Sequence, residues 1–124
     1  MKKVFIISAF ILSITSFQES YAQLFPTNLE VTVLDDKGNV QEGVSVKIYD
    51  TEEDYTNDKN IVAAARTNAK GEVKFKKLKE KVYFIRAEKG DMDNELSANK
   101  TGKLEPKRNN MVNVIIEGLA LPKN

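Results

Sequence analysis

The 124-residue sequence predicts an all-β domain, a β-sandwich of six or seven short strands, placed after an N-terminal export signal. Three observations predict it. Short stretches from Leu29 onward alternate apolar with polar residues, clusters of Gly, Asn and Asp separate them, and no stretch shows a convincing helical period.

Residues 1–22 read as a signal peptide and stand outside the fold. Lys2 and Lys3 are followed by an apolar run from Val4 to Ile14, and Ser20-Tyr21-Ala22 sets small residues where a signal peptidase reads them, so cleavage is expected before Gln23. The run falls short of the ~20 residues a spanning helix needs, and the absence of cysteine removes lipid attachment at the cleavage point. The expected product is exported to the periplasm or the exterior, with no lipid anchor and no membrane span.

The whole chain carries 19 basic and 18 acidic residues, and losing Lys2, Lys3 and Glu19 brings the mature form to zero net charge. That balance argues against nucleic acid or an anionic membrane as the main partner, since both demand a basic excess. About 100 residues is enough for one core without staples.

Residues 23–27 form a leader, 28–118 the domain and 119–124 a C-terminal tail. Leu29, Val31 and Val33 alternate with Glu30 and Thr32 as the first strand, and Asp35 to Asn39 is turn chemistry. Gly43 opens a second strand with Val44, Val46 and Ile48 on one face and Ser45, Lys47 and Tyr49 on the other. Asp50 to Asn60 is a polar, acid-rich loop with room for a helical turn. Ile61 to Arg66 reads as a strand, and the Asn68-Ala69-Lys70-Gly71 turn into Val73 and Phe75 is the best local hairpin signal. Leu78 plugs the bottom of the core, and Val82 to Ala87 is the strongest strand, with Tyr83, Ile85 and Ala87 inward. Lys89 to Arg108 is polar and holds one weak strand around Glu95 to Ala98. Met111 to Glu117 closes the sheet with Val112, Val114 and Ile116 inward.

This order of residues resembles the carboxypeptidase regulatory-like domain, a transthyretin-like sandwich, and the resemblance implies a seven-stranded, Greek-key-type β-sandwich. The resemblance lies in Asp36-Lys37-Gly38, Gly43-Val44-Ser45-Val46, the Arg66 to Gly71 turn into Val73-Lys74-Phe75, Leu78, Tyr83-Phe84-Ile85 and Lys89-Gly90, and it covers roughly residues 28–118. These are structural motifs, which specify a fold well and a function poorly. The resemblance implies an accessory role beside a peptidase, receptor or adhesin. The segment Asp50 to Asn60 is longer than the family's usual connection, which marks it as this chain's most individual loop.

Histidine and cysteine are both absent. Triads built on them, and metal sites made of imidazole or thiolate, are therefore excluded, and with them the hydrolase, dioxygenase and zinc peptidase chemistries known on related architectures. Glu52, Glu53, Asp54 and Asp58 offer paired carboxylates, but the chain lacks the tryptophan platforms sugar chemistry uses, so they read as a solvated acidic loop. For calcium, Asp91, Asp93 and Asn94 are the candidate hard-oxygen ligands. Read as a helix-flanked calcium loop the segment fails, since Leu96 and Gly102 stand where glycine and glutamate belong. Lys47 and Asn113 are the pair considered for an internal isopeptide bond, although alternation points both away from the core.

Tyr49, Phe84 and Ile115 fall opposite the assigned core faces and form the candidate interaction surface. Two functions follow as expectations: a non-enzymatic exported module that binds a protein or a cell-surface polymer, or a small-ligand carrier working as a transthyretin-like dimer. A homodimer is the first oligomeric state to test. The exported form is expected to begin at Gln23; intact-mass measurement of the processed protein checks this, and a retained Met1 refutes it.

Overall fold

Eight short elements follow from the local chemistry of the sequence. The computed structural model describes residues 26–118; the predicted signal segment 1–22, residues 23–25 of the leader and the tail 119–124 lie outside them. Strand β1 (Asn28–Asp35) buries Leu29, Val31 and Val33, as its alternation predicts. The Asp35 carboxylate then accepts hydrogen bonds from the backbone N–H groups of Lys37 and Asn39, both at 2.9 Å, and fixes the turn. Strand β2 (Ser45–Tyr49) turns Val46 and Ile48 into the same core, joined by Val44 just before it.

Helix α1 (Glu52–Asn57) stands where the sequence suggested a loop with at most one turn. Thr51 caps it, its hydroxyl oxygen accepting from the Asp54 N–H at 3.0 Å. Glu52, Glu53 and Asp54 place negative charge on the first turn, where the free N–H groups favour it. Asp58 ends the helix in the left-handed region at φ 51°.

The remaining strands are β3 (Ala63–Arg66), β4 (Glu72–Phe75), β5 (Phe84–Lys89), β6 (Met92–Asp93) and β7 (Asn109–Gly118). Their order in the sheet is β3-β2-β5-β6-β7-β1-β4. β1 lies between antiparallel β4 and parallel β7, with Asn28 opposite Asn109 and Asp35 opposite Ile116. β2 lies between antiparallel β3 and β5. Two-residue β6 joins the halves, Asp93 pairing with both Glu88 and Glu117. The inner stripes of both halves, from Leu29 to Ile116, meet in one apolar cluster that includes Tyr83, Leu104 and Val114. This is an all-β, seven-stranded sandwich close to a barrel.

Two expectations are corrected. The Asn68–Gly71 turn does form, with the Asn68 side-chain oxygen accepting from the N–H groups of Lys70 and Glu72, but it does not make a hairpin. β3 pairs with β2 and β4 with β1, so the turn carries the chain from one half to the other. Thr67 holds the first side: it is buried, its hydroxyl oxygen accepts from Val44 N–H at 2.9 Å and its hydroxyl donates to the Gln41 carbonyl at 2.7 Å. Gly71 holds the second, its carbonyl accepting from Val33 N–H at 2.8 Å on β1.

The weak strand expected at Glu95–Ala98 is instead β6 at Met92–Asp93, and Glu95–Ala98 is a turn. Buried Asn94 explains the change. Its side chain accepts from Ala87 N–H at 3.0 Å and donates to the Ile85 carbonyl at 2.9 Å, occupying the β5 backbone that a longer β6 would have paired.

Gly71 sits at φ +74°, and a Cβ there would meet the Val33 carbonyl oxygen at 2.8 Å and the Val40 Cβ at 3.0 Å. Gly71→Ala is therefore expected to destabilise the domain by about 1–3 kcal/mol, read as a lower midpoint in urea unfolding. An unchanged midpoint would remove this account of the crossover.

Candidate interaction surface

The outer face of the β2–β5 pair carries the most organised cluster of polar and aromatic side chains among the described residues. Alternation sends Tyr49 from β2 and Phe84 and Arg86 from β5 to this face; Tyr49 and Phe84 are register partners, and so are Lys47 and Arg86. Helix α1 is laid over them. It brings Tyr55 down edge-on to Tyr49, with ring centroids 5.8 Å apart, and at 6.4 Å from Phe84.

Tyr49 is consequently fully buried rather than exposed. Its hydroxyl finds the partner such burial demands by donating to the Asp58 carboxylate at the end of α1. The other carboxylate oxygen of Asp58 lies 3.4 Å from the Lys47 ammonium. Arg86 stacks its guanidinium 4.4 Å above the Tyr55 ring, donates to the Tyr55 carbonyl and lies 4.0 Å from Glu95. Two polar clamps, Tyr49–Asp58 and Arg86–Tyr55, thus tie α1 to the sheet.

The electrostatics follow from burial and pairing. Burial, then the hydrogen bond to Asp58, pushes the Tyr49 hydroxyl up to about 12. The hydrogen bond from the Tyr49 hydroxyl holds the Asp58 carboxyl below the usual carboxylate range; desolvation opposes it, and Lys47 adds to the lowering.

Of the three residues predicted to share a surface, the structure joins Tyr49 and Phe84 and leaves Ile115 elsewhere. Ile115 lies on β7 opposite Leu34 of β1, half-buried, its carbonyl accepting from the Ser97 hydroxyl at 2.9 Å. Phe84 is also half-buried, and with Tyr49 covered no common apolar cavity is lined by the three. The calcium candidates are not assembled as ligands either. Asp93 accepts from the Glu95 N–H at 3.0 Å, Asn94 is committed to the β5 backbone, and Asp91 is exposed in the turn before β6. Among the described residues no group of three or more acidic side chains is placed to hold a metal ion. Lys47 on β2 and Asn113 on β7 lie in different halves, Lys47 beside Asp58 and Asn113 opposite Thr32, so they do not meet.

Tyr55, Arg86 and the structural role of Asp58 were not singled out from the sequence. A signal for the first existed: Thr51 followed by three acids is a helix start, and Tyr55 is the one aromatic in that polar segment. Nothing in the sequence pairs Arg86 with it, because their 31-residue separation is closed only by the fold.

No protein-family model matches the chain, and no curated protein does. Solved structures match in fold. A streptococcal ancillary pilin aligns with TM-score 0.58 at 14% identity, over 74% of this chain and 32% of that one. The shaft pilin SpaA of Lactobacillus rhamnosus GG gives 0.51 at 17% identity, over 73% of this chain and 49% of that one. The group B streptococcus pilus 2b backbone protein gives 0.50 at 15%, over 78% and 43%. The chain therefore spans about a third to a half of the length of these proteins. The fold is a closed seven-stranded β-sandwich of the kind found in bacterial pilin domains.

Asp58 titrates lower in the folded chain than in the unfolded one, so its stabilisation is present above its ordinary value near pH 4 and is lost as pH falls through the folded value. Asp58→Asn is expected to lower the melting temperature at pH 7, with the gap to the parent narrowing below about pH 4. A gap that stayed constant down to pH 2 would show that the carboxylate charge is not what holds α1.

Proposed function

We propose that this chain is an exported, non-enzymatic β-sandwich module that acts by contact with another protein or a cell-surface polymer. The observation that carries the reading is the clamping of α1. The chain's most individual loop is held on the sheet by Tyr49–Asp58 and Arg86–Tyr55, leaving Glu52, Glu53, Thr56 and Asn57 exposed on a fixed frame. Recognition loops work best when a rigid scaffold orders them before the partner arrives. Two further facts support it: the lack of histidine and cysteine, and a fold shared with pilin domains.

The export signal ending at Ala22, delivery to the periplasm or the exterior, and descent from carboxypeptidase regulatory-like, transthyretin-like domains belong to the same proposal. The last is supported by the Asp36–Gly38 turn and the Asn68–Gly71 turn, both of which the structure uses. The carrier reading has no observation in its favour, since Phe84 and Ile115 do not face one space.

Saturable binding of the exported protein is expected to intact cells of its source or to their isolated surface proteins or polymers. Glu52→Gln with Glu53→Gln is expected to weaken that binding roughly fivefold at low salt while lowering the melting temperature only slightly, through the first-turn charge that α1 loses. The absence of saturable binding to any of these fractions would sink the reading.

A further inference from the structure

We infer that the cleft between the first half of β7 and the segment Thr101–Glu105 is a docking slot for an acidic, extended peptide of another protein, which adds to β7 as a strand. This names a partner class for the contact function proposed above and rests on that reading.

The cleft is a split in the near-barrel. Along β5, the row begun by β6 resumes at residues 99–101: Ile85 N–H donates to the Asn99 carbonyl at 2.7 Å and Thr101 N–H to the Tyr83 carbonyl at 2.9 Å. Lys100 bridges to Phe84 between them, so backbone alternation turns its N–H and C=O groups and the Gly102 N–H away from β5, while the Gly102 carbonyl accepts from the Thr101 hydroxyl at 2.6 Å. On the other bank, Asn28 N–H donates to the Arg108 carbonyl at 3.0 Å, which sets even-numbered residues of β7 toward β1 and odd-numbered ones away from it. Of the odd ones, Glu117 meets Asp93 of β6 and the Ile115 carbonyl accepts from Ser97. Among the described residues, no backbone group pairs with Met111 or Asn113 on that side.

Two banks with unpaired backbone, at the Gly102 N–H on one side and at Met111 on the other, therefore face an opening of about 600 Å³. Its floor is apolar, made by Leu29, Leu104 and Val112. An extended chain offers what both banks lack, alternating N–H and C=O groups on its two edges and one side-chain stripe for the floor. β6 already runs antiparallel to β7 along this edge of β7, so the guest takes the same direction.

Charge selects the guest. Lys103 lines the opening, Lys100 and Lys107 stand one residue before its lining residues Thr101 and Arg108, and all three are exposed; among the described residues none has an acidic partner within ion-pair distance. The one acid lining it, Glu105, is taken by Arg108 at 2.9 Å. The opposite sheet edge makes a contrast: β4 has Lys74 facing Glu30 and stands between Lys70 and Lys76, a charge pattern that discourages strand addition.

The test uses the full exported protein and a labelled synthetic peptide, Asp-Thr-Val-Thr-Val-Thr-Asp, with a copy bearing lysine for aspartate. In the free protein, hydrogen exchange at Met111 and Asn113 is expected to be faster than at Val112 and Val114, which face β1. The acidic peptide is expected to slow the first two by about tenfold and to bind about tenfold more tightly than the lysine copy. Lys100→Glu, Lys103→Glu and Lys107→Glu together are expected to abolish the preference without lowering the melting temperature. Equal binding of both peptides, or no protection at Met111 and Asn113, overturns the slot. Protection that grows with protein concentration alone also overturns it, because a second copy then fills the edge. If the triple variant still captures the same surface partner as the parent, the slot is wrong and the contact function stands.

Discussion

The parallel pairing of β1 with β7 is the constraint on which the remaining structure depends. A chain without cysteine has no covalent staple, so its first and last strands must be held by register alone. Eight residues of β1 are matched to eight of β7, and the same β1 residues that bury Leu29, Val31 and Val33 also receive β4 on their other edge. A slip of one residue would turn that whole stripe to solvent. The register is thus fixed by burial, and it fixes where Gly71 must dock and where the cleft beside β7 opens.

Helix α1 answers a problem created by the same alternation. β2 cannot turn Val46 and Ile48 inward without turning Lys47 and Tyr49 outward, and a bare tyrosine beside Phe84 would leave an apolar patch on the sheet. Tyr55 covers it, and Asp58 satisfies the hydroxyl that this covering buries. The clamp is polar at its centre, which makes it specific in geometry: removing Asp58 leaves the Tyr49 hydroxyl buried and unpaired. A loop that would otherwise move is in this way given a fixed surface.

The sandwich treats its edges and gaps unequally. Asn94 closes the β5 edge with a side chain instead of a strand, because its amide can imitate one residue's worth of backbone on both donor and acceptor sides. That substitution leaves β6 two residues long, and the row beside β5 resumes only at residues 99–101.

The sequence by itself determined the class of the fold and nearly all of its core. Period-2 alternation named Leu29, Val31, Val33, Val44, Val46, Ile48, Tyr83, Ile85, Ala87, Val114 and Ile116 as inward, and all are buried, because side-chain direction along a strand is a local property. The turns at Asp35–Asn39 and Asn68–Gly71 were legible for the same reason, since their carboxylate and amide groups bond backbone only two to four residues away. Tertiary structure decided what lies across long separations. It chose β2 and β1 rather than each other as partners for β3 and β4, placed Tyr55 over Tyr49, brought Arg86 to Tyr55, and set Gly102 and Met111 on one cleft. Local preference carries no information about which distant strand supplies an edge; that choice is made by the burial of the whole core at once.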